Sequence, residues 1–454
     1  MQLAVQTTTI NARVRLSQPQ AVFHALLWLT VGANAVFAVT ALPSTRSWRL
    51  LADTALIATS VNVGLAVLTR QQYVVNALYR LATGAPRRWS LPWRLRLAEV
   101  YQYGGVHVGA AIAATAWFLF FAVGTAVHPG PYRLPVRMAT ELIALDLIII
   151  VACSAPAVRR RHHDLYEAVH RYGGWAALGL FAVLTVLLAA EDPRGLATGL
   201  AHTPGAWILV LAAVSILIPW LQLRRLAVTA HVPSSHAAVL HLPDRRRARA
   251  GTFVRLAHRR LGQSHAFAAI PDPDGGYRVV VSRAGDWTGK LIESPPSRLW
   301  VRGGPVDGVA SVARLFHRVV WIATGSGIAP CLPHLLASDV TNSAQLAGAE
   351  SAGNSAQLAG AESAGKSQLV WVTRNPLRTY GPQLLAEIQA AAPDARIWDT
   401  DADGKPDLAD LAADAYRRTG AEAVICISNQ DTTGRLVGEL RRRGIPAYGP
   451  IWDS

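Results

Sequence analysis

The sequence predicts a multi-domain protein: a six-helix transmembrane bundle, then a small antiparallel β-barrel, then a parallel α/β domain. Three observations carry this expectation. Six apolar stretches occupy the first half, each reaching the roughly 20 residues that cross a hydrocarbon core. After Arg225 the pattern turns to short alternating segments broken by Pro, Gly and Asp, as in barrel strands. From Val319 onward strands alternate with helices, which implies a parallel sheet. Composition agrees: the 454 residues are 51% hydrophobic and 16% charged, with a mean hydropathy of +0.23. A disordered or collagen-like chain is excluded, since ordinary soluble domains already carry about 25% charge.

The apolar stretches run from Ala21 to Leu42, Leu50 to Thr69, Ala98 to Val127, Met138 to Val158, Leu165 to Ala190 and Gly205 to Leu223. Residues 1–228 hold 19 Arg, no Lys and 8 acids, whereas the remainder holds 25 basic and 21 acidic residues. With the N-terminus inside, 13 Arg fall on the cytoplasmic side and five on the other; this bias places both termini in the cytoplasm. The excess of Arg therefore orients spans in a lipid bilayer, and no nucleic acid is expected. Residues 1–18 read as a cytoplasmic tail, 19–228 as the membrane domain, 229–312 as the barrel and 313–454 as the α/β domain. Cys153, Cys331 and Cys426 form no CxxC pair, so neither a disulfide framework nor a thiolate metal site is expected.

Two spans carry a histidine beside glycines: Gly104-Gly105-Val106-His107 and His170-Arg171-Tyr172-Gly173-Gly174. Counted at 1.5 Å per residue, His107 lies about 16 Å beyond Arg96 and His170 about 14 Å beyond Arg161, at similar depth from the same side. Two imidazoles from neighbouring helices can clamp a haem iron from both faces, glycines admit a flat macrocycle, and Arg171 can pair with a propionate. The pair thus points to one b-type haem. The same residues also suit a plainer role, with glycines serving close helix packing and each histidine bonded to a neighbour.

In the second half, Ala237 to His241, Thr252 to Leu256, Ala266 to Ile270 and Tyr277 to Ser282 read as barrel strands. Val319 to Ile322, Leu369 to Thr373 and Ala423 to Ile427 read as strands of the parallel sheet, with a helix from Pro382 to Ala391. The 12-mer NSAQLAGAESAG occurs twice in tandem over 342–365 and reads as a duplicated surface loop, because extra loop length costs little closure entropy. The strongest motif is Thr324-Gly325-Ser326-Gly327-Ile328-Ala329-Pro330. Glycines after a strand let backbone amides and a helix N-terminus approach a pyrophosphate, although such turns also occur for packing alone.

With this turn, Gly285-Asp286-Trp287-Thr288, Trp371-Val372-Thr373-Arg374 and the ending Arg443 to Ser454, the C-terminal half resembles the ferredoxin-NADP reductase superfamily. The whole chain resembles membrane ferric reductases and NADPH oxidase relatives, in particular TmpA-like integral membrane proteins. The resemblance covers residues 98–190 loosely and 250–454 more specifically. It implies an FAD-binding barrel, an NADPH- or NADH-binding α/β domain and a haem-carrying bundle. It places Gly285, Asp286, Trp287 and Thr288 near the flavin phosphates, His265 and Phe267 near the isoalloxazine, and Trp452 over the flavin ring. Gly325, Ser326, Gly327, Ile328 and Pro330 form the nucleotide turn, and Arg374 reads the adenosine phosphate. His107 and His170 become the haem ligands. Departures accompany the match. His265-Ala266-Phe267-Ala268 lacks the hydroxyl usual beside the flavin, Phe121 and Leu184 stand where a second haem needs histidines, and Cys426 lacks the following glycine. The expected function is electron transfer from NAD(P)H through FAD toward the membrane and an unknown acceptor, or, alternatively, a regulatory membrane protein whose reductase half binds nucleotide without turnover.

Overall fold

The computed structural model describes residues 18–43, 47–128, 132–273, 275–337 and 367–451. Arg13 and Arg15, the tandem repeat and Trp452 lie outside the described residues. Contacts divide the chain into two units.

One unit, Val22–Val75 with Gln102–Gln222, is helical. Ala21–Ala41, Trp48–Leu68, Gly104–Val127, His163–Ala189 and Pro204–Leu221 are long and apolar enough to cross a membrane. The remaining expected span, read from Met138, is the 20-residue helix Leu134–Cys153. Its Arg137, Glu141 and Asp146 keep its composition from marking it as a span in its own right. The span read from Ala98 starts at Gly104, because Ala98–Gln102 forms a separate 3₁₀ turn. Packing follows residue size. Ala52, Ala55 and Ala58 recur every three residues along Trp48–Leu68, and Trp117, Phe118 and Phe121 share a buried cluster with them. Asn34 and Asn62 exchange side-chain hydrogen bonds of 3.1 and 2.7 Å, and Trp117 Nε1 donates to Asn34 Oδ1 at 3.0 Å. These bonds satisfy polar groups that hydrocarbon cannot.

The other unit joins Asn76–Tyr101 to Leu223–Ser454 and the N-terminal stretch. Its barrel strands are β1 (Arg224–Ala227), β2 (Thr229–Ser234), β3 (Ala237–Leu242), β4 (Thr252–Ala257), β5 (His265–Ala268), β6 (Ile270–Pro271), β7 (Tyr277–Ser282) and β8 (Arg298–Asp307). They form two antiparallel sheets, β1-β8-β4-β5 and β2-β3-β7-β6. Alternate residues point inward: Ala238, Leu240 and Leu242 of β3 meet Tyr277, Val279 and Val281 of β7 in the core. Helix Asp286–Glu293 adds Leu291 and Ile292.

The parallel sheet contains β9 (Val319–Thr324), β10 (Gln368–Thr373), β11 (Arg396–Asp399), β12 (Ala423–Ile427) and β13 (Ala447–Tyr448), in the order β11-β10-β9-β12-β13. Val320, Ile322, Val370, Val372, Val424 and Cys426 form its core with Ala412 and Ala415 of helix Leu408–Thr419 and Leu436 and Leu440 of helix Gln430–Arg442.

Residues 76–97 were expected within a basic connection between two spans, and 98–101 as the start of the third span, all within the membrane domain. They instead pack as part of this second unit. Asn76 donates to Pro305 O at 3.1 Å and accepts from Asp307 N at 2.8 Å. Arg94, only 5% exposed, holds Glu422 with two 2.7 Å bonds and Leu315 O with a third of 2.8 Å. Glu99 accepts from Arg441 at 2.8 Å, and Tyr448 Oη donates to Leu95 O at 3.1 Å. The segment thereby grips both the end of β8 and the α/β domain.

Candidate functional site

The sheet order reverses between β9 and β12, and such a switch point opens a ligand crevice at the strands' carboxyl ends. The turn Gly325–Gly327 lies there, followed by the helix over 328–337. A Cβ on Gly327 would stand 2.2 Å from Ile427 O, so only glycine lets β9's turn approach β12 this closely. Thr324 and Ser428 hydroxyls join the two strand ends at 2.6 Å, and Trp371 Nε1 donates to Gly325 O at 2.8 Å. Ser326 is half-buried, Ile328 is buried, and Pro330 sits half-buried in the helix's first turn. Next to them Asn429 caps Gln430–Arg442 by accepting from Thr432 N at 2.9 Å. Two helix N-termini therefore start from the adjacent ends of β9 and β12, a setting that favours an anion. Burial pushes the Cys426 thiol up to about 12, against a bond to Thr433; it is an inert strand residue.

Sequence reasoning missed Tyr380. Its hydroxyl is 3.0 Å from Ser282 Oγ, the last residue of β7, and 3.3 Å from where a Cβ on Gly325 would lie. Burial raises its pKa despite bonds to Ser282 and Thr373, so the phenol stays protonated. A break in Pro376–Ala391 at Gly381 aims the ring there. The Gly381-Pro382 pair signals that break, but nothing local in the sequence signals Ser282 as partner. Around it, Ser234 Oγ donates to Thr379 O at 2.8 Å and Arg278 Nη1 donates to Glu387 at 2.9 Å. The barrel and the α/β domain are thus fixed to each other at the glycine turn.

On the barrel, the expected flavin residues form a ring cluster. Trp287 lies against Phe267 (centroids 5.7 Å, 28°), His265 (4.6 Å) and His258 (4.4 Å). His258 was not foreseen. Burial, with the Lys290 charge, lowers its pKa against a bond to the Trp287 backbone. Gly285 and Asp286 are exposed at the start of their helix. Thr288 accepts from Ala284 N at 2.8 Å and donates to Gly285 O at 3.1 Å, so its hydroxyl is engaged in closing its own turn.

In the helical unit, the His107 and His170 rings meet with centroids 6.1 Å apart at 72°. His107 Nδ1 lies 2.8 Å from Ala66 O; a carbonyl can only accept, so Nδ1 carries the proton and Nε2 its lone pair. The glycines behave otherwise than expected. A Cβ on Gly105 would meet Phe23 O at 2.1 Å, and one on Gly173 would meet Ile150 at 2.9 Å; both serve helix packing, while Gly174 faces open space. Arg171 pairs with Glu167 at 3.4 Å. Phe121 and Leu184 are buried together in the aromatic core. Among the described residues no group of three or more His, Cys, Asp or Glu could hold a metal. Arg374, at the end of β10, is 74% exposed and paired with Asp401 at 2.8 Å.

The last third of the chain has a family match. Residues 309–454 match the family model "Adenylate-forming reductase 03009, C-terminal domain". Two proteins of Coprinopsis cinerea, Adenylate-forming reductase 03009 and Adenylate-forming reductase 06235, are each 37% identical over 400 residues. The match covers 87% of this chain and 36% of each relative, so the chain spans about a third of the length of the curated relatives it matches. Among solved structures, a ferredoxin reductase in carbazole 1,9a-dioxygenase is 16% identical with a TM-score of 0.36, covering 51% of this chain and 69% of that one. The Amycolatopsis cytochrome P450 reductase GcoB is 18% identical with a TM-score of 0.35, covering 51% and 71%.

Proposed function

We propose that the chain is a membrane-bound, flavin-dependent oxidoreductase of the ferric reductase kind. It draws electrons from NAD(P)H and delivers them toward the membrane and an unidentified acceptor, with a single b-type haem. The observation that carries this reading is the joint at Tyr380. An antiparallel barrel bearing a ring cluster is held beside the glycine turn of a doubly wound sheet, in a chain that also has bilayer-length apolar helices. The word reductase in the relatives' names agrees with it.

The residues present fit the flavin and the nucleotide; toward a haem they offer the paired imidazoles of His107 and His170, while Gly105 and Gly173 are taken up by helix packing and Arg171 by Glu167. His258, His265, Phe267 and Trp287 offer rings on which a flavin can stack. The glycine turn would receive the pyrophosphate of the nicotinamide nucleotide, and Arg374 would exchange an exposed, weak pairing with Asp401 for a phosphate oxygen, favouring NADPH. His107 and His170 would hold the haem iron. The proton of His107 is already committed to a carbonyl, as second-shell partners orient metal-bound imidazoles. Bound FAD supplies the step between a two-electron donor and a one-electron carrier; Tyr380, kept protonated, holds the two lobes in register.

An absorption spectrum of detergent-purified full-length protein, before and after anaerobic NADPH, tests the reading. The expected result is a flavin spectrum that bleaches, followed by reduction of a low-spin haem. Absence of flavin in the presence of added FAD would overturn it. Bound flavin without NADPH oxidation would favour the regulatory alternative, to which Ala268, lacking a hydroxyl on β5, already lends some support.

A further inference from the structure

Between Arg70 and Ala98 the chain has six Arg and no acid. Arg94 is consumed by Glu422, but Arg80, Arg87, Arg88 and Arg96 are exposed. They share their surface with large apolar groups: Leu81 is 79% exposed, Trp93 57% and Trp89 47%. The arrangement is helical. Ala77, Arg80 and Leu81 form the outer face of Gln72–Thr83, with exposed Gly84 just past its end, opposite buried Val75, Tyr79 and Ala82; Trp89, Pro92, Trp93 and Arg96 repeat that spacing, opposite buried Arg94, Leu95 and Ala98. Arg96 lies over the Trp93 ring at 5.0 Å.

We infer that this outer face is a docking surface for anionic phospholipid headgroups of the bilayer. The inference rests on the membrane reading of the flanking helices. Two features select this occupant. The segment is continuous in sequence with a bilayer-length helix on each side, Trp48–Leu68 and Gly104–Val127. Its mixture of indole, aliphatic and guanidinium groups without a single carboxylate matches the headgroup layer, where tryptophan is anchored and arginine meets lipid phosphate. The inner face of the same segment carries Asn76, Arg94 and Glu99, so lipid binding on one side holds the reductase module through the other.

The test reconstitutes the full chain into nanodiscs of phosphatidylcholine alone, or phosphatidylcholine with phosphatidylserine, and follows trypsin cleavage after Arg87 and Arg88. Cleavage after Arg259 and Arg260, exposed on the barrel, is the internal reference. Phosphatidylserine should slow the first relative to the second by about tenfold, and high salt should reverse the protection. Quenching by brominated phosphatidylserine should fall in Trp89→Phe/Trp93→Phe. Equal cleavage in both bilayers overturns the inference, as does lipid-independent protection in a dimer, which would mean that protein covers the face. Release of the chain from membranes by alkaline carbonate would instead defeat the underlying membrane reading.

Discussion

The Arg94–Glu422 pair shows what a single residue contributes here. Burial alone would raise the Glu422 pKa, but the Arg94 hydrogen bonds, the His317 N–H and the positive charge of Arg94 outweigh it and hold the carboxyl below its ordinary 4.5. The folded protein therefore binds this proton less tightly than the unfolded chain, and the stabilisation is complete above about pH 4.5 and lost as pH falls below it. Arg94→Ala leaves Glu422 buried without its counter-charge, a change that costs about 3–5 kcal/mol in comparable pairs. Thermal unfolding of the detergent-purified protein at pH 7 should show the module's transition falling by several degrees, with a smaller loss in Arg94→Leu/Glu422→Leu. A transition unmoved in Arg94→Ala would mean that the pair does not clamp the segment. Arg94 itself was legible only as one Arg among six, because its partner lies more than 300 residues away. Tyr380 was hidden for the same reason. Gly325, Gly327 and Cys426 were readable, since a turn after a strand and an apolar strand are local patterns.

Elements were more legible than their boundaries or their neighbours. The apolar runs, the barrel strands and the strands of the parallel sheet all appear close to where periodicity puts them, because burial on one or both faces imposes a period that sequence records directly. What the period does not record is which helix a glycine faces, and Gly105 proved to serve packing against Phe23 O. The same geometry makes the glycine turn testable. In Gly327→Ala the new methyl would press on the carbonyl of Ile427 at 2.2 Å, so β9 and β12 must part at the crevice. That should weaken NADPH binding by at least about tenfold while flavin is retained, at a stability cost of about 1–3 kcal/mol. Unchanged NADPH affinity by titration would remove the turn from the site. For the paired helices, His107→Ala and His170→Ala should each abolish a low-spin haem spectrum, whereas His24→Ala, on an exposed helix face, should not. A spectrum that survives both single changes would show the ligands to be elsewhere, and a folded wild type that takes up no haem would leave a flavin-only reductase.

At the scale of the whole molecule the order of parts was readable, but the interruption of the helical unit by a piece of the other unit was not. Composition marks 76–101 as basic and amphipathic; it cannot name the surface on which such a segment folds. The consequence is that a C-terminal half cut at Leu223 is incomplete. It would keep the barrel and the parallel sheet yet lose the groups that satisfy Glu422, Arg441 and Tyr448 Oη, together with the apolar cover supplied by Tyr79 and Leu95, which are only 3% and 5% exposed in the full chain. Buried charges stripped of partners are expensive, and the newly bared apolar surface would promote association. Residues 223–454 expressed alone should therefore be poorly soluble or melt well below the module in the full chain, whereas the same piece with 76–101 attached through a flexible linker should recover a cooperative transition. Arg94→Ala within that fused protein should cancel much of the gain, which separates specific docking from a general benefit of added chain. Equal melting of 223–454 with and without 76–101 would show that the C-terminal module folds independently of the segment that joins two apolar helices.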